Sequence, residues 1–453
     1  MNKNPKVFIV HCVDTEGPLH EELGATFSRI KAICGIELEV SKDTLHKLQQ
    51  KKINLQGKED EVYELIKPHR IKLNKTWGQV KEMVDMISSQ EYRQEFPDSY
   101  GQPWKFSWFI LDHHGFFGSN PRKRDLNDHA VFDFYTKHDN VISQGDHIGW
   151  HYHPLPTNGN VHCSGTTAVN SNNIHTVLCK KLIDRLWFPS SFRPGFHAER
   201  PDLSLFLEQW IPFDYGNQSI AENKKSNFVH ADLAGSRFGD WRKAPVQWSP
   251  YHPSFRDYQL PGSSHRWITR CLNIEARLRT IDDQDIEDAF LEAEKKGSSI
   301  LAFTDHDFRD MDYDIRKMYT MISKVKKRFK NISTVNANAI EAIRENLNIE
   351  NKRIKLEADL IKKSSTHSKL FIKTKELPFN IQPFFAIKTK DGRYEWKSLD
   401  CEDNLVWSFT FDWNDIYIED CESFAIACTS YSGKVELIKY NCAEKEWIRR
   451  VID

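Results

Sequence analysis

Lys6 to Val13 is an apolar run, K-V-F-I-V-H-C-V, halted by Gly17 and Pro18, and it reads as a buried first strand. Short runs of similar kind recur at Trp104–Leu111, within Gln144–Pro156, at Ser191–His197, Pro212–Gly216, Trp248–Pro253, Ser299–Thr304 and from Ile332. The segments between them carry the helical period. Thr76–Ile87 is the clearest, with Trp77, Val80, Met83, Val84 and Ile87 on one stripe. Ala130–Asn140, Ile174–Leu186, Pro201–Trp210, Asp282–Lys296 and Asp312–Phe329 follow. Asp282–Lys296 starts acidic and ends basic, as the helix dipole favours, and Gly297 closes it. Strand and helix alternating as far as Leu347 predict a mostly parallel α/β fold, with an inserted excursion around residues 35–70.

Beyond residue 350 the pattern changes. Residues 351–368 are dense in charge and read as a linker. From 369 to 453 come alternating runs such as F-F-A-I-K-T-K, L-V-W-S-F-T-F and S-F-A-I-A-C-T, separated by D-G and S-G turns. That pattern predicts a small antiparallel β module, folded separately from residues 1–350.

Charge narrows the partners. The 453 residues hold 63 basic and 64 acidic side chains, a net charge of -1, which offers no footprint for nucleic acid or an anionic membrane. No run of 18 apolar residues occurs, so no membrane-spanning helix is expected. The N-terminal apolar stretch is too short for an export signal, and the nine cysteines are scattered without a C-x-x-C pair. Reduced thiols in the cytoplasm are the expectation.

The chemistry collects at the ends of the predicted strands. Asp14 and Glu16, two apart, place two carboxylates on one side of the first strand's C-terminal end, where parallel barrels carry their active sites. Q-G-D-H-I-G-W-H-Y-H-P-L-P holds His147, His151 and His153. A helix would pair His147 with His151, and a strand would pair His151 with His153. Gly145, Gly149 and Pro154 favour the strand, and paired imidazoles suit a divalent metal. Arg193 can fork onto a carboxylate. Asp112, His113 and His114 end the second predicted strand and could reach the same pocket, although a surface turn accounts for them as well. His306, between Asp305 and Asp307, has the makings of a proton-transfer group.

Taken in order, these motifs resemble the NodB-homology polysaccharide deacetylases, carbohydrate esterase family 4, over roughly residues 5–345. Asp14 and Glu16 match the paired acids of the first motif in a spaced D-x-E form. Gly145, Ile148, Gly149 and His151 match the second, with His153 standing for the second histidine in H-x-H rather than the usual H-x-x-x-H; His147 is the other possible partner. Phe192, Arg193, Pro194 and Phe196 match the third, Phe213, Asp214 and Tyr215 resemble the fourth, and His306 matches the fifth.

The resemblance implies a distorted (β/α)7 barrel and a divalent metal, usually zinc in that family, on Glu16, His151 and His153. It further implies Asp14 as base, Arg193 as its orienting partner, His306 as general acid, and Trp150, Phe196, Asp214 and Tyr215 as substrate contacts. The activity implied is removal of an N-acetyl or N-formyl group from a sugar or glycoconjugate. A non-catalytic carbohydrate-binding protein on a degenerate barrel, or a metal-independent amidohydrolase, are the alternatives.

Overall fold

The structure is a computed structural model, described for residues 4–112, 129–153, 173–221, 239–275, 279–364 and 366–452. Seven parallel strands close into a barrel: β1 (Lys6–Thr15), β2 (Phe106–Asp112), β3 (His147–Tyr152), β4 (Ser191–Pro194), β5 (Phe213–Asn217), β6 (Trp267–Asn273) and β7 (Ser298–His306). Each pairs with the next, and β7 returns to β1. An eighth strand, β8 (Ser333–Asn336), distorts the ring. It pairs with Lys6–Ile9 of β1, while only His11–Thr15 pairs with β2.

Period-two alternation sorts the side chains. Phe8, Val10 and Cys12 of β1 pack inside with Phe109, Tyr215, Cys271, Ile300 and Ala302. Val7, Ile9 and Val13 pack outward with Trp108, Trp150, Leu301 and Phe303 against the helical layer. With both faces covered, the strands read as continuous apolar runs, as buried parallel strands do. The interior turns ionic only near the C-terminal ends, where Asp14 and His306 pair in register.

Helices Trp77–Ser88, Ala130–Thr136, Asn173–Arg185, Pro201–Trp210, Asp283–Lys296, Met311–Lys326 and Ala339–Leu347 lie among the strands in sequence. Asp282 and Asp285 form a capping box at the start of Asp283–Lys296, and Gly297 ends it in the left-handed conformation. The insertion begins earlier than residue 35. Leu23–Cys34, Lys42–Gln49 and Glu59–Ile66 enclose a small core of Phe27, Ile30, Leu48, Val62 and Ile66.

One predicted strand is displaced. Trp248–Pro253 makes only isolated bridges, from Tyr251 and Pro253, and the barrel strand is Trp267–Asn273. Pro250 and Pro253 have no N–H for a ladder, whereas buried Arg270 interrupts the apolar pattern of W-I-T-R-C-L-N.

The C-terminal residues form two antiparallel sheets. One joins β9 (Leu356–Ser364), β10 (His367–Thr374), β13 (Asp400–Asp403) and β14 (Val406–Phe411). The other joins β11 (Phe384–Thr389), β12 (Tyr394–Lys397), β15 (Cys421–Thr429), β16 (Val435–Asn441) and β17 (Glu446–Ile452). Residues read as a charged linker thus supply β9. Most of its residues past Leu356 are partly or fully exposed, and an edge strand tolerates such charge.

The module also shares a core with the barrel. Phe385, Ile387 and Ile426 face the space between the sheets, whereas Phe384, Ala386, Ala425 and Ala427 belong to the barrel's outer core. Phe384 packs 4.9 Å from Phe188 and 5.2 Å from Trp210, centroid to centroid.

Candidate functional site

β1 and β3 deliver the key groups to the C-terminal end of the barrel. Asp14 is inward on β1, and Glu16 follows one residue past the strand. On β3 the same alternation turns His147 and His151 inward and sends Trp150 and Tyr152 outward. His153 follows directly, its N–H bonded to the Asp112 carbonyl at 3.1 Å.

Glu16, His151 and His153 are all buried, and one ligand atom from each lies within 4.8 Å of the others, so the three could hold a metal ion. His153 Nε2 is 2.9 Å from His151 Nε2 and 3.4 Å from Glu16 Oε1, and His151 Nε2 is 3.9 Å from the same oxygen. His151 Nδ1 lies 3.0 Å from the Arg193 carbonyl, which can only accept. That bond puts the proton on Nδ1 and leaves the Nε2 lone pair aimed at the other two groups, as a second-shell contact does for a metal-binding imidazole. Tetrahedral zinc at 2.0–2.1 Å from each nitrogen needs the nitrogens about 3.3 Å apart, so the rings must part by about 0.4 Å. One carboxylate and two imidazoles suit that ion.

His147 lies on the same strand face, but four residues put it about 13 Å lower. It bonds Ser191 Oγ at 2.7 Å, and burial, with the Arg344 charge, pulls its pKa down to about 3.

Asp14 is held by a bidentate fork. Arg193 Nε reaches Oδ1 at 2.6 Å and Nη2 reaches Oδ2 at 3.0 Å, both side chains fully buried. Arg193 Nη1 donates to the Tyr215 carbonyl at 2.5 Å, which fixes the fork. Burial pushes the Asp14 pKa up, but the charge of Arg193, then that of His151, outweighs it and holds the carboxyl well below the usual range. For His151, burial pulls the pKa down, and the Asp14 and Glu16 carboxylates reverse that to a net rise.

His306 completes the rim, with Nε2 4.0 Å from Glu16 Oε1 and the side chain 23 % exposed. Its ring lies 4.8 Å from that of Phe308. Burial lowers its pKa, only partly offset by Glu16 and Asp14. Alternation turns both flanking carboxylates away from it. Asp305 lies 3.1 Å from His11 Nε2. Asp307 accepts the N–H groups of Glu16 and Gly17 at 2.8 and 2.9 Å and the Tyr135 hydroxyl at 2.9 Å. Asp307 therefore fixes the backbone that carries Glu16, a part that D-H-D spacing alone does not disclose. Burial pushes its pKa up to about 6 despite those bonds. Gly17, at φ +67°, makes the turn, and a Cβ there would come within 2.8 Å of the Trp77 ring.

Three expected substrate contacts are instead internal. Trp150 is outward on β3, stacked on Tyr152, with its indole N–H 2.9 Å from Asp112. Asp214 pairs with Arg266 at 2.7 Å and caps the Gly216 N–H. The Tyr215 hydroxyl donates to the Ala339 carbonyl at 2.5 Å. Phe196 alone of the four borders the metal-ligating group. Its ring meets His153 edge-on at 4.7 Å, and its backbone is left-handed at φ 52°. Asp112 is buried on Lys181 at 2.9 Å, and His113 and His114 lie outside the described residues.

No family model, curated protein or solved structure matches the chain. Among the described residues no helix is long and apolar enough to cross a membrane.

Proposed function

We propose that this protein is a zinc-dependent hydrolase that removes an N-acetyl or N-formyl group from a sugar or glycoconjugate, on a barrel of the polysaccharide-deacetylase kind. One observation carries the reading. An arginine-clamped carboxylate, Asp14, stands beside a buried Glu16–His151–His153 group with His306 on the adjacent strand, all at the strand ends where parallel barrels place catalysis. A structural ion pair needs no adjacent trio of lone-pair donors, and a structural metal site needs no clamped acid.

A divalent metal held by Glu16, His151 and His153 would supply Lewis acidity toward an acyl oxygen and would lower the pKa of a water. Asp14 would accept the proton of the attacking water on a carboxylate oxygen. Arg193 keeps Asp14 ionised at any working pH, and also makes it a weak base, so it suits only a water already made acidic. Burial lowers the pKa of His306, which would take a proton from solvent and give it to the amine nitrogen as the C–N bond breaks. Its partial exposure lets it reach a substrate. Phe196 offers an aromatic edge beside His153.

A cytoplasmic site of action is part of the proposal, in keeping with eight free cysteines among the described residues.

The test is metal analysis of the purified protein, then single-turnover release of acetate or formate from N-acylated sugars with and without a chelator. Zinc near one equivalent and chelator-sensitive release are expected. Release that persists in chelator makes the protein a metal-independent amidohydrolase. No metal and no uptake of added zinc makes it a binding protein.

A further inference from the structure

A cavity lies at the end of the barrel opposite the candidate site. It is open to solvent on one side and holds about 400 Å³, within the usual range for small-molecule sites. Trp267, the first residue of β6, opens it from the barrel's N-terminal rim, and Ile349 follows the last barrel helix. His252, Ser263 and His265 come from the loop before β6, and Tyr431 from the turn between β15 and β16. The C-terminal module thus contributes Tyr431 to a wall otherwise built by the barrel. That turn is fixed to the barrel: Arg344 Nε donates to the Ser432 carbonyl at 2.5 Å, and a Cβ on Gly433 would sit 2.6 Å from the Phe213 ring.

The lining has a definite chemistry. None of its residues carries a fixed charge. His252 Nδ1 lies 2.9 Å from the Arg266 carbonyl, which can only accept, so Nε2 is left as an acceptor. The Trp267 indole N–H and the hydroxyls of Ser263 and Tyr431 have no hydrogen-bond partner among the described residues. Tyr431 is 39 % exposed, with its ring 6.3 Å from that of His265. The wall therefore combines aromatic surface with both donors and an acceptor. An anion would face the Glu208 carboxylate, 3.7 Å from His265 Nδ1, and a plain hydrocarbon would leave the polar groups against an apolar surface. A ring with an apolar C–H face and hydroxyls around its edge satisfies both halves.

The geometry points to an accessory binding site for a neutral saccharide unit in this cavity, remote from Glu16, His151 and His153. The site would join barrel and module around one sugar, and it does not depend on the hydrolase reading.

The experiment uses the full chain. Neutral hexoses and their N-acetylated counterparts are titrated by saturation-transfer NMR and tryptophan fluorescence, with glucose 6-phosphate as the charged comparator. Saturable binding of at least one neutral sugar is expected. Tyr431→Ala should weaken it about tenfold and Ser263→Ala about threefold, since each removes one contact at an exposed position. Glu16→Gln should leave it unchanged, which separates this site from the candidate active site. The proposal is overturned if no neutral sugar in the panel binds, if glucose 6-phosphate binds more tightly than glucose, if Glu16→Gln abolishes the signal, or if the Tyr431 and Ser263 variants bind as the parent does.

Discussion

Gly195→Ala tests the metal site without touching a ligand or assuming a reaction. A Cβ at Gly195 would lie 2.4 Å from His153 Cδ2, 2.6 Å from Cγ and 2.7 Å from the Tyr152 carbonyl oxygen. Ordinary contact begins near 3.4 Å, so the imidazole must retreat by about 1 Å. The Tyr152 side of the contact cannot yield as readily, because that residue is held in register with Pro194 of β4. Zinc–nitrogen bonds tolerate about 0.2 Å, so a 1 Å retreat removes or badly strains one of three protein ligands. Zinc affinity should fall at least 10- to 100-fold, or about 1.4–2.8 kcal/mol. The assay is a competition titration against a chromophoric chelator, with circular dichroism to verify folding. Gly24→Ala, where a Cβ meets nothing within 4 Å, is the control and should bind as the parent does. Should Gly195→Ala not fold, His153→Asn carries the test and should lower affinity at least as far. Unchanged zinc affinity in either folded variant refutes the assignment of His153 as a ligand.

Four further outcomes are expected. Asp14→Asn should retain zinc but lose hydrolysis by roughly 10²–10⁴-fold, whereas Glu16→Gln should lose the metal; metal stoichiometry and single-turnover rates on both would expose reversed roles. Asp307→Ala leaves the N–H groups of Glu16 and Gly17 without their acceptor, so stability should fall by about 1–3 kcal/mol and zinc affinity about 10-fold or more; a denaturant titration and a chelator competition measure the two, and a stability loss with intact affinity would make Asp307 purely structural. Glu275 is buried, which raises its pKa, but Lys317 and Arg70 bring it down from 4.5 to about 2. A depressed pKa contributes stability that is complete above 4.5 and lost as pH falls toward 2, up to about 3 kcal/mol, so Glu275→Gln should flatten the acid limb of a melting-temperature profile. Finally, a chain ending at residue 350 uncovers Phe188 and Trp210 and should be aggregation-prone, and limited proteolysis of the full chain should not release a stable barrel; a soluble, cooperatively melting 1–350 fragment would contradict the shared core.

The alternation of apolar runs and helical periods was enough to read a mostly parallel α/β fold followed by antiparallel strands, because periods of two and 3.6 are local properties of the chain; closure into a barrel was expected only from the family resemblance. Local spacing likewise put His151 and His153 on one face and His147 too far down the strand to share a metal with them, since Gly149 and Pro154 disfavour a helix wherever the segment ends up. The same alternation argues against Trp150 as a substrate contact, being odd-and-even opposed to His151. Tertiary structure decided the rest. The fork of Arg193 on Asp14 spans 179 residues, and the hold of Asp307 on Glu16 spans 291. Asp214 and Tyr215 have the residue types of a binding motif, but partners from distant segments, Arg266 and Ala339, take up their polar atoms. Strand β6 was hidden because its buried arginine breaks the apolar run, and β9 because an edge strand can carry charge that reads as a linker. The shared core of module and barrel was hidden for a related reason: alternation shows that a strand has two faces, but only the packed fold shows that Phe384 meets the barrel while Phe385 meets the opposite sheet. Periodicity along a chain fixes what each element can present, and which distant group receives it is set only when the elements are brought together.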